Sequence, residues 1–154
     1  MKLQISTRLA LYSVLHLATD PTRQFSAAEI AERFGISLNH LAKVLRTLGR
    51  AGLVEAARGA GGGYRFRGNV KRVTLLDVIQ LFEDVWSDGY GAEDPAAAPE
   101  EGRALRRVLD EIDDIARATL RSITLATMLK LMQELPDAPG QSPEPAPGRL
   151  ARSR

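Results

Sequence analysis

Two short helical patterns separated by one glycine, with a glycine-tipped hairpin directly behind them, leave this chain few folds to choose from. The segment FSAAEIAERFGIS places Ser26 three residues before Glu29, the reciprocal pair that starts a helix. Ala27, Ile30, Ala31 and Phe34 then share one apolar side, and Gly35 ends the pattern. Ser37 can cap a further helix, LNHLAKVLRTLGRAG, in which Leu41, Val44, Leu45 and Leu48 point inward. Its other side is then Asn39, His40, Lys43, Arg46, Thr47 and Arg50. A short helix, a tight glycine turn and a second helix with a cationic outer side form the helix-turn-helix pattern. Next, GLVEA (52–56) and YRFR (64–67) are short and β-prone, flanking a tip that contains Gly61, Gly62 and Gly63. Helix, helix and hairpin in that order make a winged helix.

A glycine-rich tip beside arginines could instead cradle a nucleotide's phosphates, since glycine lets backbone amides approach an anion. The neighbours exclude it. No Gly-Lys-Ser/Thr leads into a helix, and Tyr64 stands where the dinucleotide fingerprint needs glycine. In a winged helix the second helix of the pair lies in the major groove, and the wing reaches the adjoining backbone or minor groove. Arg58, Arg65 and Arg67 would supply charge there, with Gly61, Gly62 and Gly63 permitting close approach. Tyr64 offers either a planar DNA contact or a ring packed beneath the wing.

Charge distribution favours a polyanionic partner for the N-terminal half. Net charge is only +2, yet residues 1–72 hold 12 Lys+Arg against 4 Asp+Glu, whereas residues 73–135 hold 6 against 13. The absence of cysteine removes disulfides, thiolate zinc sites, cysteine-held iron-sulfur clusters and thiol catalysis. Two histidines, His16 and His40, cannot replace it; they read as a helix-face residue and a DNA-facing residue. No nucleophile-base motif or metal-ligand spacing appears, so no catalytic residue, metal site or cofactor is expected. Although the first 20 residues are leucine-rich, Arg8 and His16 interrupt them and no cleavage pattern follows. With no apolar run of about 18 residues, no membrane partner is expected, and the chain is read as cytoplasmic.

The remainder organises around this unit. A first helix spans about Ser6 to Thr19, capped by Ser6 or Thr7, with Leu11, Val14, Leu15 and Ala18 on one stripe. VTLLDVIQLFEDVW starts another at Thr74 and Asp77, with Trp86 as core or hinge packing. Residues 86–102 read as a flexible loop rich in Gly, Pro, Ala and acid. From Arg103, Leu105, Val108, Leu109, Ile112, Ile115, Ala116, Leu120 and Ile123 form an apolar seam over about 30 Å of helix. One small winged helix cannot cover such a seam, whereas a second copy can, so a homodimer is expected. Thr124 starts a short last helix, and the proline-rich residues 136–154 read as disordered. The fold class is therefore mainly α with a small β-hairpin wing. Its parts are a winged helix-turn-helix domain over residues 1–85, the loop 86–102, a dimerisation helix with a short helix over 103–135, and the tail.

Three blocks carry a more specific likeness: MKLQISTRLALYSVLHLA at the start, GISLNHLAKVLRTLGRAGLVEAARGAGGGYRF, and SITLATML after the long helix. Together they resemble the Rrf-two family of bacterial transcription regulators over about residues 1–133. The resemblance implies a dimeric repressor binding double-stranded DNA at a palindromic operator. It places base-reading positions on Asn39, Ala42 and Lys43, and a minor-groove arginine on Arg58. By side-chain chemistry Asn39 suits adenine, Lys43 suits guanine, and Ala42 can only touch a thymine methyl. Many members of that family hold an iron-sulfur cluster through three loop cysteines; here the loop has none, so the resemblance extends only to cluster-free members. Three cases then stay open for what controls it: a small molecule, a partner protein, or no effector at all. Two rival classes are a winged helix that binds protein, disfavoured by Lys43, Arg46 and Arg50, and an enzyme, for which no motif survives.

Overall fold

A computed structural model of the protein describes residues 2–59, 61–84 and 99–136. Trp86, most of the expected loop and nearly all of the expected tail lie outside the described residues. The elements run α1 (Ile5–Ala18), α2 (Ala27–Phe34), α3 (Leu38–Arg50), β1 (Val54–Ala57), β2 (Gly63–Phe66), α4 (Leu75–Ile79), α5 (Glu100–Ser122) and α6 (Leu125–Glu134). The mainly helical fold with a small antiparallel hairpin is as the sequence predicts. Among the described residues no helix is long and apolar enough to cross a membrane.

Local chemistry sets most boundaries. At the start of α2 the Ser26 hydroxyl accepts from the Glu29 amide at 3.1 Å while the Glu29 carboxylate accepts from the Ser26 amide at 2.7 Å. Gly35, at φ 62°, closes that helix in the left-handed region glycine occupies without strain. Ser37 caps α3, Thr74 and Asp77 form the reciprocal cap of α4, and Thr124 caps α6. Each of these was legible from residue spacing.

Three boundaries depart from the sequence reading. Helix α1 starts at Ile5 after an uncapped Gln4, because the expected caps have other surroundings: the Ser6 hydroxyl meets His40 Nε2 at 3.2 Å, and Thr7 is buried. Helix α4 is only five residues long. Beyond it, three-residue turn bonds such as Phe82 N–H to the Ile79 carbonyl, 3.0 Å, tighten the coil. Helix α5 begins at Glu100 rather than Arg103 and runs through Gly102.

Helix α1 is the hub. Leu9, Ala10, Leu11, Val14, Leu15, Leu17 and Ala18 are all buried, so its apolar surface is wider than the single stripe expected. Around it pack Ile30 of α2, Leu41, Leu45 and Leu48 of α3, Phe66 of β2, and Val78 and Ile79 of α4. Leu125 of α6 completes the same core, being fully buried. The junction of α5 and α6 is tied to the approach to α4 by the Leu75 amide to the Ile123 carbonyl and the Leu125 amide to the Val73 carbonyl, both 2.9 Å. In contrast, no residue of the 23-residue helix α5 is buried.

Candidate nucleic-acid interface

Helix α3 owes its orientation to its inner face. With Leu41, Val44, Leu45 and Leu48 buried at helical spacing, the residues opposite must face solvent. Asn39, Ala42, Lys43, Arg46 and Arg50 are all exposed. Asn39, Lys43, Arg46 and Arg50 recur at i, i+4, i+7 and i+11, which puts them on one stripe about 16 Å long at the helical rise per residue. Among the described residues Lys43, Arg46 and Arg50 make no ion pair. A helix of this width fits a B-DNA major groove, where amide and ammonium groups can reach base edges or phosphates.

His40 stands apart from this stripe. Its ring is half-buried and bonded to Ser6, fastening the start of α3 to α1.

The wing is held at both ends. Strands β1 and β2 pair Val54 with Phe66, Glu55 with Arg65, Ala56 with Tyr64 and Ala57 with Gly63. Tyr64 also exchanges two backbone hydrogen bonds with Phe25, at 2.9 and 2.8 Å, so the residue before the α2 cap acts as a third partner to the hairpin. The Tyr64 ring is half-buried and packs against the core, which is the packed alternative the sequence offered.

Within the wing the three arginines differ. Glu55 accepts from Arg65 at 2.6 and 2.8 Å and from Arg67 at 3.0 Å. The Arg65 guanidinium, by hydrogen bond and charge, then Arg67, holds the Glu55 carboxyl below the usual range. One carboxylate thus offsets part of the charge of two arginines. Arg58 is exposed and makes no ion pair among the described residues. The register that sets Glu55 opposite Arg65 was not legible until the tip was placed.

Glycines at the tip also serve the chain itself. Gly59 and Gly61 adopt positive φ, 107° and 79°. A Cβ on Gly62 would lie 2.6 Å from the Ala57 carbonyl oxygen, and one on Gly63 would lie 2.5 Å from that of Phe25. Backbone crowding therefore accounts for Gly62 and Gly63 independently of any ligand.

Comparison with known proteins agrees with this geometry. The profile of the family described as "Rrf2: Iron-dependent Transcriptional regulator" matches residues 3–131. A Rhodopseudomonas palustris protein named as an HTH-type transcriptional regulator, BadM, is 56% identical over 133 residues, covering 86% of this chain and 83% of that one. Among solved structures, CymR of B. subtilis, described as the global cysteine regulator, aligns with TM-score 0.73 and 28% identity over 85% of this chain and 98% of its own. IscR of T. potens aligns with TM-score 0.69 and 27% identity over 87% and 90%.

A cysteine-held iron-sulfur cluster, one form that the iron dependence in the family's description could take, does not fit this chain's donors. There is no cysteine in the sequence, and the described residues contain no group of three or more His, Cys, Asp and Glu side chains able to hold a metal. Soft thiolates are what an iron-sulfur cluster requires. The helix-turn-helix with its wing, the match over most of the chain and the cysteine-free sequence together place this protein in the Rrf2 family of transcriptional regulators, as a member without the residues for a cluster.

Proposed function

We propose that this protein is a sequence-specific DNA-binding repressor that works as a homodimer on a palindromic operator, without an iron-sulfur cluster. One observation carries the reading: Asn39, Lys43, Arg46 and Arg50 form an exposed stripe, its cations without an ion pair among the described residues, on the helix that follows the Gly35 turn, with Arg58 on the adjoining wing. Asn39, Ala42 and Lys43 read bases, Arg46 and Arg50 meet phosphates, His40 sets the helix angle, and Arg58 enters the minor groove. The wing residues Gly61, Gly62, Gly63, Tyr64 and Arg65 shape that approach.

Dimerisation rests on α5. Leu105, Val108, Ile112 and Ile115 are each more than half exposed along one side of that helix. Leu109, Ala116, Leu120 and Ile123 are half-buried, and Leu120 packs on the chain's own core. The expected seam thus has an inner edge that leans on the domain and an outer edge for a second copy to cover. Burying four large aliphatic side chains from each of two copies contributes several kcal/mol, and two-fold symmetry in the protein demands matching half-sites in the DNA.

Selection of duplexes from a random pool, followed by titration of the preferred site, tests the reading. Lys43→Ala should cost about 1–3 kcal/mol on that site and relax preference at one base pair. Arg58→Ala should weaken all duplexes and lower the logarithmic salt slope by about one, since a cation is lost from the phosphate-lined minor groove. Recovery of no preferred sequence, with affinity insensitive to salt, would overturn it.

A further inference from the structure

On the side of α1 that faces α2 and α6 lies a cavity of about 490 Å³, within the size range of small-molecule sites. Its walls are aromatic. Tyr12 and Phe34 stack with centroids 5.8 Å apart, and the His16 ring lies 4.5 Å from Phe25 and 5.9 Å from Phe34. Met128 and Met132 of α6 also line it and supply polarizable thioethers, side chains that adapt to a flat apolar body.

Charge at its rim is selective. Arg23, Arg33 and Asp20 are the charged residues lining the cavity. Asp20 is spent on its own turn, accepting from the Thr22 amide, the Thr22 hydroxyl and the Arg23 amide. Arg23 lies over the Phe25 ring at 4.5 Å and is paired with Glu29 at 2.8 Å. Arg33 makes no ion pair among the described residues. His16 is held below its ordinary pKa, first by burial and then by Arg33 and Arg23, with Glu29 opposing. At neutral pH it is an uncharged ring in the wall.

We infer that this cavity binds a small organic carboxylate with a planar apolar body, the body between the aromatic rings and the methionines and the carboxylate on the Arg33 guanidinium. Neither the ring cluster nor Arg33 is needed by the DNA-reading stripe. Their position suits regulation: Arg33 and Phe34 end α2 immediately before the Gly35 turn that sets α3, and α6, which follows α5, also lines the cavity. Occupancy should therefore alter DNA affinity, a consequence that rests on the DNA-binding reading above, whereas the site does not.

Calorimetry on the full chain without DNA tests the site, using 2-naphthoate, its neutral analogue 2-naphthamide, and acetate. Saturable binding of 2-naphthoate, with the amide and acetate about tenfold weaker or worse, is expected, because a charge-assisted hydrogen bond is lost with the one and the apolar body with the other. Arg33→Gln should weaken 2-naphthoate about tenfold and leave the amide unchanged, and Arg33→Lys should restore part of the loss. As Arg33 is exposed, both variants should fold, which circular dichroism verifies. Equal binding of acid and amide, no effect of Arg33→Gln, or no saturable binding at millimolar concentration would each overturn the site. A duplex titration with and without 2-naphthoate then reads the coupling: ligand binding with unchanged DNA affinity overturns the coupling alone, and failure to bind any duplex overturns the DNA reading alone.

Discussion

Replacing Gly63 with alanine should unfasten the wing from the helix-turn-helix. The added Cβ would lie 2.5 Å from the Phe25 carbonyl oxygen, 2.8 Å from its carbon and 3.2 Å from the Ser26 amide nitrogen. All three are backbone atoms, so no side chain can swing away; the two segments must part. Parting them forfeits the two Phe25–Tyr64 backbone hydrogen bonds, at 2.9 and 2.8 Å. At a net value of about 0.5–1.5 kcal/mol each, the loss is about 1–3 kcal/mol. For a chain of this size that corresponds to about 2–12 °C in melting temperature, measured by circular dichroism or calorimetry. Gly63→Asn should be as harmful as alanine, because any Cβ meets the same oxygen. Gly35→Asn should be milder, since Gly35 has open space and needs only the left-handed conformation that asparagine tolerates. A Gly63→Ala protein melting within about 1 °C of the original would refute the steric argument and return this glycine to a purely DNA-facing role.

Glu55→Gln should free Arg65 and Arg67 for phosphate contact, steepening the salt dependence of binding to a nonspecific duplex by about 0.9 to 1.8 in logarithmic slope; a shallower slope would show that Glu55 presents these arginines to DNA. Ile112→Glu with Ile115→Glu, at the exposed edge of α5, should convert the dimer to monomer in sedimentation without unfolding it, and an unchanged dimer would move the interface elsewhere. His16 has a folded pKa below its ordinary value near 6.5, so the unfolded chain binds more protons between the two values. Stability attributable to it is complete above about pH 6.5 and is lost as pH falls through the folded value. His16→Gln should therefore flatten the acid side of the melting-temperature profile, and an unaltered profile would place the titrating group elsewhere.

Where a few neighbouring residues settle the outcome, the sequence was sufficient. Ser26 with Glu29, Thr74 with Asp77, Ser37 and Thr124 start their helices because each cap bonds an amide three residues along the same chain. Helical spacing of Leu41, Val44, Leu45 and Leu48 fixes the inner side of α3, and with it the outward stripe of Asn39, Lys43, Arg46 and Arg50. Tertiary structure decided what depends on residues distant in the chain. Ser6 was a plausible helix cap until His40, 34 residues away, took its hydroxyl. Arg65 and Arg67 were wing cations until the hairpin register set Glu55 against them. Gly63 matched a loop built for close approach to a ligand, and the approach it makes is to Phe25. The cavity was invisible for the same reason: α6 joins α1, α2 and the turn between them from a distant part of the chain, and no local pattern records which side chains such segments will bring together.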